Sequence, residues 1–147
     1  MNARTICFDM DGTIANLYAV EGWLNDLENH NTRPYREATV MMNMQALARK
    51  LNALQRNGYR LVIISWLSRS GNAEYNEAVT EVKKEWLRKH LASVQWDEVH
   101  IVEYGTPKST VINAVNPILF DDEERNRTEW KGEAYRETEI MDILKAL

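Results

Sequence analysis

The stretch Ile6-Cys7-Phe8-Asp9-Met10-Asp11-Gly12-Thr13-Ile14 constrains this chain more than any other. A short apolar run ends in two carboxylates on alternate residues, followed at once by a glycine and a threonine. A buried strand has no use for acids. At the carboxyl end of a strand in an α/β sheet, however, they point into the crevice where such folds bind ligands. Period-two geometry puts Asp9 and Asp11 on one face, although Gly12 permits a turn that brings the Asp11 backbone carbonyl inward. Two oxygens of this kind suit a hard divalent cation such as Mg²⁺. Taken alone, Asp-x-Asp-Gly is equally well explained as a turn in which one acid makes an Asx-type hydrogen bond.

Later segments repeat the pattern. Ser65 ends the apolar run Leu61-Val62-Ile63-Ile64, Lys108 follows Thr106-Pro107, and Asp121-Asp122 ends Pro117-Ile118-Leu119-Phe120. With these four motifs in this order, the sequence resembles the haloacid dehalogenase-like (HAD) hydrolases. Their first motif is Asp-x-Asp-Gly-Thr/Val after an apolar strand, their second a Ser or Thr at a strand end, their third a Lys and their fourth an acidic pair. The resemblance spans nearly the whole chain. It implies that Asp9 is a nucleophile, that Asp11 is its acid–base partner, and that Ser65 and Lys108 hold the phosphoryl group. It also implies a Mg²⁺ site made by Asp9, Asp11, Asp121 and Asp122, one of the last two coordinating directly and the other acting through water or by orienting Lys108, with Gly12, Thr13 and Trp66 lining the substrate site.

A weaker resemblance, to the 5′(3′)-deoxyribonucleotidase branch, rests on three features: Lys83 to Leu91, with Trp86 inside it, Asp121-Asp122 followed by Asn126, and the short insertion carrying Trp23. It implies (deoxy)nucleoside monophosphates as substrates. Trp66 can serve either as a platform for a base or as a shield over the site. A sugar phosphate, a polynucleotide end and a phosphoprotein are alternative substrates, and a non-catalytic module that binds a phosphate ligand is a further alternative.

Length and charge narrow the class. The 147 residues suit one domain with a real core and leave no room for a second full domain. A formal charge of −4 provides no basic field for general nucleic-acid binding. The single cysteine, Cys7, excludes an internal disulfide and reads as a small buried hydrophobe. His30, His90 and His100 lack metal-ligand spacing, which argues against zinc. With no leader-like start and no membrane-length apolar stretch, a cytoplasmic protein acting on a small-molecule phosphomonoester is expected; a homo-oligomer is compatible with this reading.

The periodicities predict a three-layer, mainly parallel, Rossmann-like α/β sheet with strands at about 4–9, 60–65, 98–102 and 117–120 and a brief one near Ala134-Tyr135. Between them, Leu17 to Leu27 reads as one helix, Met41 to Leu54 as a second closed by Asn57-Gly58, and Tyr75 to His90 as a third. On the third, Lys83, Lys84, Arg88 and Lys89 read as a solvated face. Thr106-Pro107 predicts a helix through Val115, which would place Lys108 in its first turn, where the dipole disfavours a cation unless acids or a phosphate lie near. A last helix starts near Thr138. In the resembling family the region after the first motif carries the cap; here residues 15–40 leave room for only a small flap.

Overall fold

The computed structural model describes residues 3–147. In chain order the elements are β1 (Thr5–Phe8), β2 (Ala15–Asn16), α1 (Trp23–Glu28), α2 (Arg33–Glu37), β3 (Thr39–Val40), α3 (Met44–Arg56), β4 (Arg60–Trp66), α4 (Ala73–His90), β5 (Glu98–Val102), β6 (Ile118–Phe120), α5 (Glu124–Glu129), β7 (Glu133–Tyr135) and α6 (Ile140–Ala146). Five strands form one sheet in the order β5-β4-β1-β6-β7, and every pair is parallel. β1 therefore lies at the centre, with β4 and β6 on either side, so the three strands predicted to end in polar residues are neighbours.

Alternation along these strands builds two cores. Ile6, Phe8, Leu61, Ile63, Ile118 and Phe120 face α3 and α6, where Leu47, Leu51, Leu54, Ile140 and Leu144 complete the larger core. Cys7, Val62, Ile64 and Leu119 point the other way, beneath Trp130, Val111 and Ile112. Strands covered on both faces need apolar residues at consecutive positions, which is why β4 reads as an unbroken run. Cys7 is buried, and burial pushes its thiol well above the usual range, consistent with a packing role. No helix among the described residues is long and apolar enough to cross a membrane.

Three helix expectations are corrected. Leu17 to Leu27 is a single 3₁₀ turn, Leu17–Ala19, followed by α1, because Gly22 adopts a left-handed φ of 74° between them. The helix expected from Met41 begins at Met44, where the Asn43 side chain accepts from the Ala46 N–H at 3.0 Å. The helix expected from Thr106 to Val115 reduces to one 3₁₀ turn, Lys108–Thr110. Pro107 there is extended rather than helical, and the Thr106 hydroxyl donates back to the Glu103 carbonyl instead of capping. Val111 and Ile112 are drawn down onto the sheet, and a left-handed Asn116 (φ 46°) then turns the chain into Pro117. Two adjacent β-branched residues resist helix, so packing wins over the capping signal.

Residues 15–40 form a small separate layer in which β2 and β3 pair antiparallel and α1 and α2 follow one another. Leu17, Leu27 and Tyr35 from this layer pack on Leu67, Tyr75, Val79 and Val82, so α4 and the end of β4 carry it. The Trp86 indole N–H donates to the Ala38 carbonyl at 2.8 Å and fixes its return to the body.

Candidate active site

The carboxyl ends of β1, β4 and β6 meet at one crevice. Asp9 follows β1 directly, and its N–H donates to the Phe120 carbonyl at 2.9 Å, so the backbones that deliver Asp9 and Asp121 are locked together. Carboxylate oxygens of Asp9, Asp121 and Asp122 lie within 4.8 Å of one another. Such crowding requires cations. Lys108, 3% exposed, supplies one, donating to Asp9 Oδ1 at 2.9 Å and to Asp121 Oδ2 at 2.7 Å. Burial pulls its ammonium down, but Asp9 and Asp121 outweigh it and hold Lys108 above the ordinary lysine range. Lys108 thus belongs here despite lying in a 3₁₀ turn rather than in the helix expected from the sequence.

Asp121 and Asp122 are unlike each other. Asp121 is fully buried and accepts from Lys108, from the Asn126 amide at 3.1 Å and from the Glu123 N–H at 2.9 Å. Asp122 receives only a 3.2 Å contact from the Thr13 hydroxyl, which also lies 2.9 Å from Asp9 Oδ2 and accepts from the Asp122 N–H at 3.1 Å. Burial first, and then the charge of Asp9, pushes Asp121 up to about 6 and Asp122 up to about 8. Asn126 Oδ1 is buried without a hydrogen-bond partner. Three oxygen donors around an uncompensated negative charge, beside an unpaired acceptor, fit a hard divalent cation.

Gly12 and Thr13 organise this cluster. Gly12 sits at φ 82°, and a Cβ there would collide with the Asp122 carboxylate and the Tyr18 ring. Thr13 is 1% exposed, with its hydroxyl engaged between Asp9 and Asp122. The turn is closed by the Met10 carbonyl, which accepts from the N–H groups of Thr13, Ile14 and Ala15.

The side chain of Asp11 lies outside the cluster. Its Oδ2 accepts from Lys83 Nζ at 2.8 Å. Lys83 is only 1% exposed, which corrects the expectation of a solvated face. The sequence did hold the signal: Lys83 lies four residues after Val79 and three before Trp86, within the apolar stripe of α4 rather than opposite it. Lys83 also donates to Ser65 Oγ and to the Trp66 carbonyl, each at 2.7 Å. Burial pushes the Asp11 carboxyl up, Lys83 opposes this, and Asp9 adds to the rise; the net direction is upward.

Asp9, Asp11, Lys108, Asp121, Asp122 and Asn126 line the floor of a cavity of about 390 Å³, whereas Ser65, fully buried, and Gly12, Thr13 and Lys83 are not among its lining residues. Its walls come from the 15–40 layer (Tyr18, Trp23, Leu24, Tyr35) and from the sheet side (Trp66, Arg69, Tyr104). Trp66 is anchored by its indole N–H on the Thr106 carbonyl at 2.8 Å, and its ring lies 5.7 Å from Lys108 Nζ and 5.4 Å from the Arg125 guanidinium. Tyr18 and Tyr104 remain about half exposed at the mouth. Lys83, Tyr35, Tyr104 and Arg125 were not picked out as site residues from the sequence; apart from Lys83, they carry no spacing that marks them.

No protein-family model matches the sequence, and neither does any curated protein. In fold the chain is an α/β protein built on a five-stranded, parallel, Rossmann-like sheet. It is similar to the crystal structure of D,D-heptose 1,7-bisphosphate phosphatase from Burkholderia thailandensis, with 15% identity and a TM-score of 0.52 over 85% of this chain and 70% of that one. It is also similar to a chain in the structure of the Pnkp1/Rnl/Hen1 complex, with 15% identity and a TM-score of 0.56; the match covers 91% of this chain and 45% of that one.

Proposed function

We propose that the chain is a Mg²⁺-dependent phosphate-monoester hydrolase that works through an aspartyl-phosphate on Asp9. The observation that carries this reading is the division of labour among four carboxylates. Asp9, Asp121 and Asp122 converge with Lys108, while Asp11 is held apart on Lys83 and raised toward the protonated form. A nucleophile beside a cation site and a separate proton donor are what two-step phosphoryl transfer needs.

Asp9, Asp122 and the Asp11 backbone carbonyl would hold the cation, with Asp121 orienting Lys108. When bound, Mg²⁺ neutralises charge on the phosphoryl oxygens and on the carboxylates around them. A carboxylate oxygen of Asp9 attacks phosphorus. The ester P–O bond breaks with its electron pair on the leaving oxygen, which takes the proton from Asp11. Lys108 and the Ser65 hydroxyl bind the equatorial oxygens. Asp11, now ionised, takes a proton from the water that attacks the aspartyl-phosphate; phosphate departs and the Asp9 carboxylate is restored.

For the substrate we favour (deoxy)nucleoside monophosphates. The support is the aromatic mouth, where Tyr18 meets Trp23 at 4.9 Å on one side and Trp66 meets Tyr104 at 4.9 Å on the other. A flat base between such walls gains on the order of 1 kcal/mol per stacked ring. The test is Mg²⁺-dependent phosphate release, first from 4-nitrophenyl phosphate and then from a panel of deoxynucleoside 5′- and 3′-monophosphates, ribonucleotides, hexose phosphates and a 5′-phosphorylated oligonucleotide. Asp9→Asn is expected to abolish turnover in a folded protein, and turnover within about twofold of wild type would sink the mechanism. Nucleotides should lead in kcat/KM by about tenfold, which one stacked ring can supply. A lead for the sugars or the oligonucleotide would reject the substrate class and leave the chemistry standing.

A further inference from the structure

In the scheme above Lys83 has no step of its own, yet it is as deeply buried as Lys108. An ammonium has three N–H donors and no acceptor. Lys83 directs one to Asp11 Oδ2, one to Ser65 Oγ and one to the Trp66 carbonyl, at 2.7–2.8 Å. The Trp66 contact ties it to the end of β4, and the Tyr35 ring centroid lies 4.9 Å from Nζ. All three hydrogens are taken, so the group has one orientation.

Two consequences follow for its neighbours. Ser65 Oγ, fully buried, accepts from Lys83, and no acceptor for its own hydrogen is present among the described residues. Asp11 Oδ2 is occupied, while Oδ1 makes no hydrogen bond among the described residues. A carboxyl group that accepts an ammonium hydrogen on one oxygen carries its acidic hydrogen on the other.

We infer that Lys83 is a positioning residue for the acid–base step. It selects Oδ1 of Asp11 as the oxygen that gives its proton to the leaving ester oxygen while the P–O bond breaks. This inference rests on the phosphatase reading and goes beyond it by assigning a second lysine.

The test uses esters that need the proton to different degrees. A nitrophenolate leaves without protonation, whereas benzyl alcohol does not, so removing a positioned general acid should weigh on the second. For Lys83→Met, kcat/KM for benzyl phosphate should fall at least about tenfold more than for 4-nitrophenyl phosphate. Equal losses on both, or no loss, overturn the inference, because a merely structural lysine has no reason to distinguish leaving groups. If Lys83→Met does not fold, Asp11→Asn and Asp11→Asn/Lys83→Met are compared on 4-nitrophenyl phosphate, the buried acid now being neutral. A further loss within about threefold supports action through Asp11, and a much larger one overturns it. A wild type inactive on every ester would instead overturn the phosphatase reading. A crystal structure of Lys83→Met, or of the double variant if the single one does not fold, then decides the positioning: residue 11 turned away supports it, and the same side-chain rotamer there overturns it.

Discussion

Adjacent aspartates in one turn are normally interchangeable, but Asp121 accepts three hydrogen bonds and Asp122 is left with one shared hydroxyl. The difference predicts a pH response of the metal-free protein. Both carboxyls titrate higher in the folded chain than the ordinary aspartate range, Asp122 at about 8 and Asp121 at about 6. Between that range and about pH 8 the folded state therefore binds more protons than the unfolded one, and stability falls as pH rises. Urea midpoints measured in EDTA from pH 5 to pH 8 should decline, and Asp122→Asn should flatten the decline; a midpoint that rises over this range would contradict the assignment. Lys108 predicts the converse case. Lys108→Ala strands Asp9 and Asp121 without their buried partner, which destabilises by roughly 3–5 kcal/mol in urea denaturation and removes activity. A loss below about 1 kcal/mol would mean that water replaces the ammonium. Asp9, Lys108 and Asp121 were legible in the sequence because each interrupts or follows an apolar strand, where a polar residue demands explanation. Lys83 is less legible, because its charge and its three basic neighbours mask its place in the stripe of α4 that contains Val79 and Trp86.

Among the elements, strands were the legible part, since runs such as Leu61 to Ile64 admit few other structures. Helix starts were less so. Thr106-Pro107 carries a sound capping signal, yet the segment after it is held by Val111 and Ile112 on the sheet, a tertiary contact that no local pattern displays. The turn after β1 depends on one residue. Gly12 combines a left-handed φ of 82° with a closeness to Asp122 that no side chain tolerates. Gly12→Ala should destabilise by about 1–2 kcal/mol from backbone strain alone and should in addition displace Asp122. The expected signature is a disproportionate loss: Mg²⁺ affinity falls more than the melting temperature would suggest. Unchanged Mg²⁺ affinity in a destabilised Gly12→Ala protein would show that the turn serves the fold and not the site. The form of the region 15–40 was not legible, because Gly22 splits its one amphipathic stripe into two short pieces that are ordered by α4.

Across the whole molecule, charge is arranged against the apo state. Four carboxylates face two buried ammonium groups at the crevice, which leaves two negative charges uncompensated when all are ionised. The surrounding sheet is rigid and apolar, so the strain cannot be relieved by moving β1 or β6 apart without opening both cores. A divalent cation binding only the folded cluster relieves it by mass action. At a Mg²⁺ concentration about a hundredfold above Kd, the folded state gains about 2.7 kcal/mol. For a chain of this length that corresponds to a rise in Tm of about 5–10 °C. The rise should be larger at pH 8 than at pH 6, since protons on Asp121 and Asp122 compete with the metal, and it should shrink in Asp122→Asn. The control is Asp142→Asn, a change on α6 outside the cluster, which should retain the full shift. Melting curves with Mg²⁺ against EDTA decide the matter: a Tm that does not move at saturating Mg²⁺, at either pH, would mean that Asp9 and Asp122 do not hold a cation.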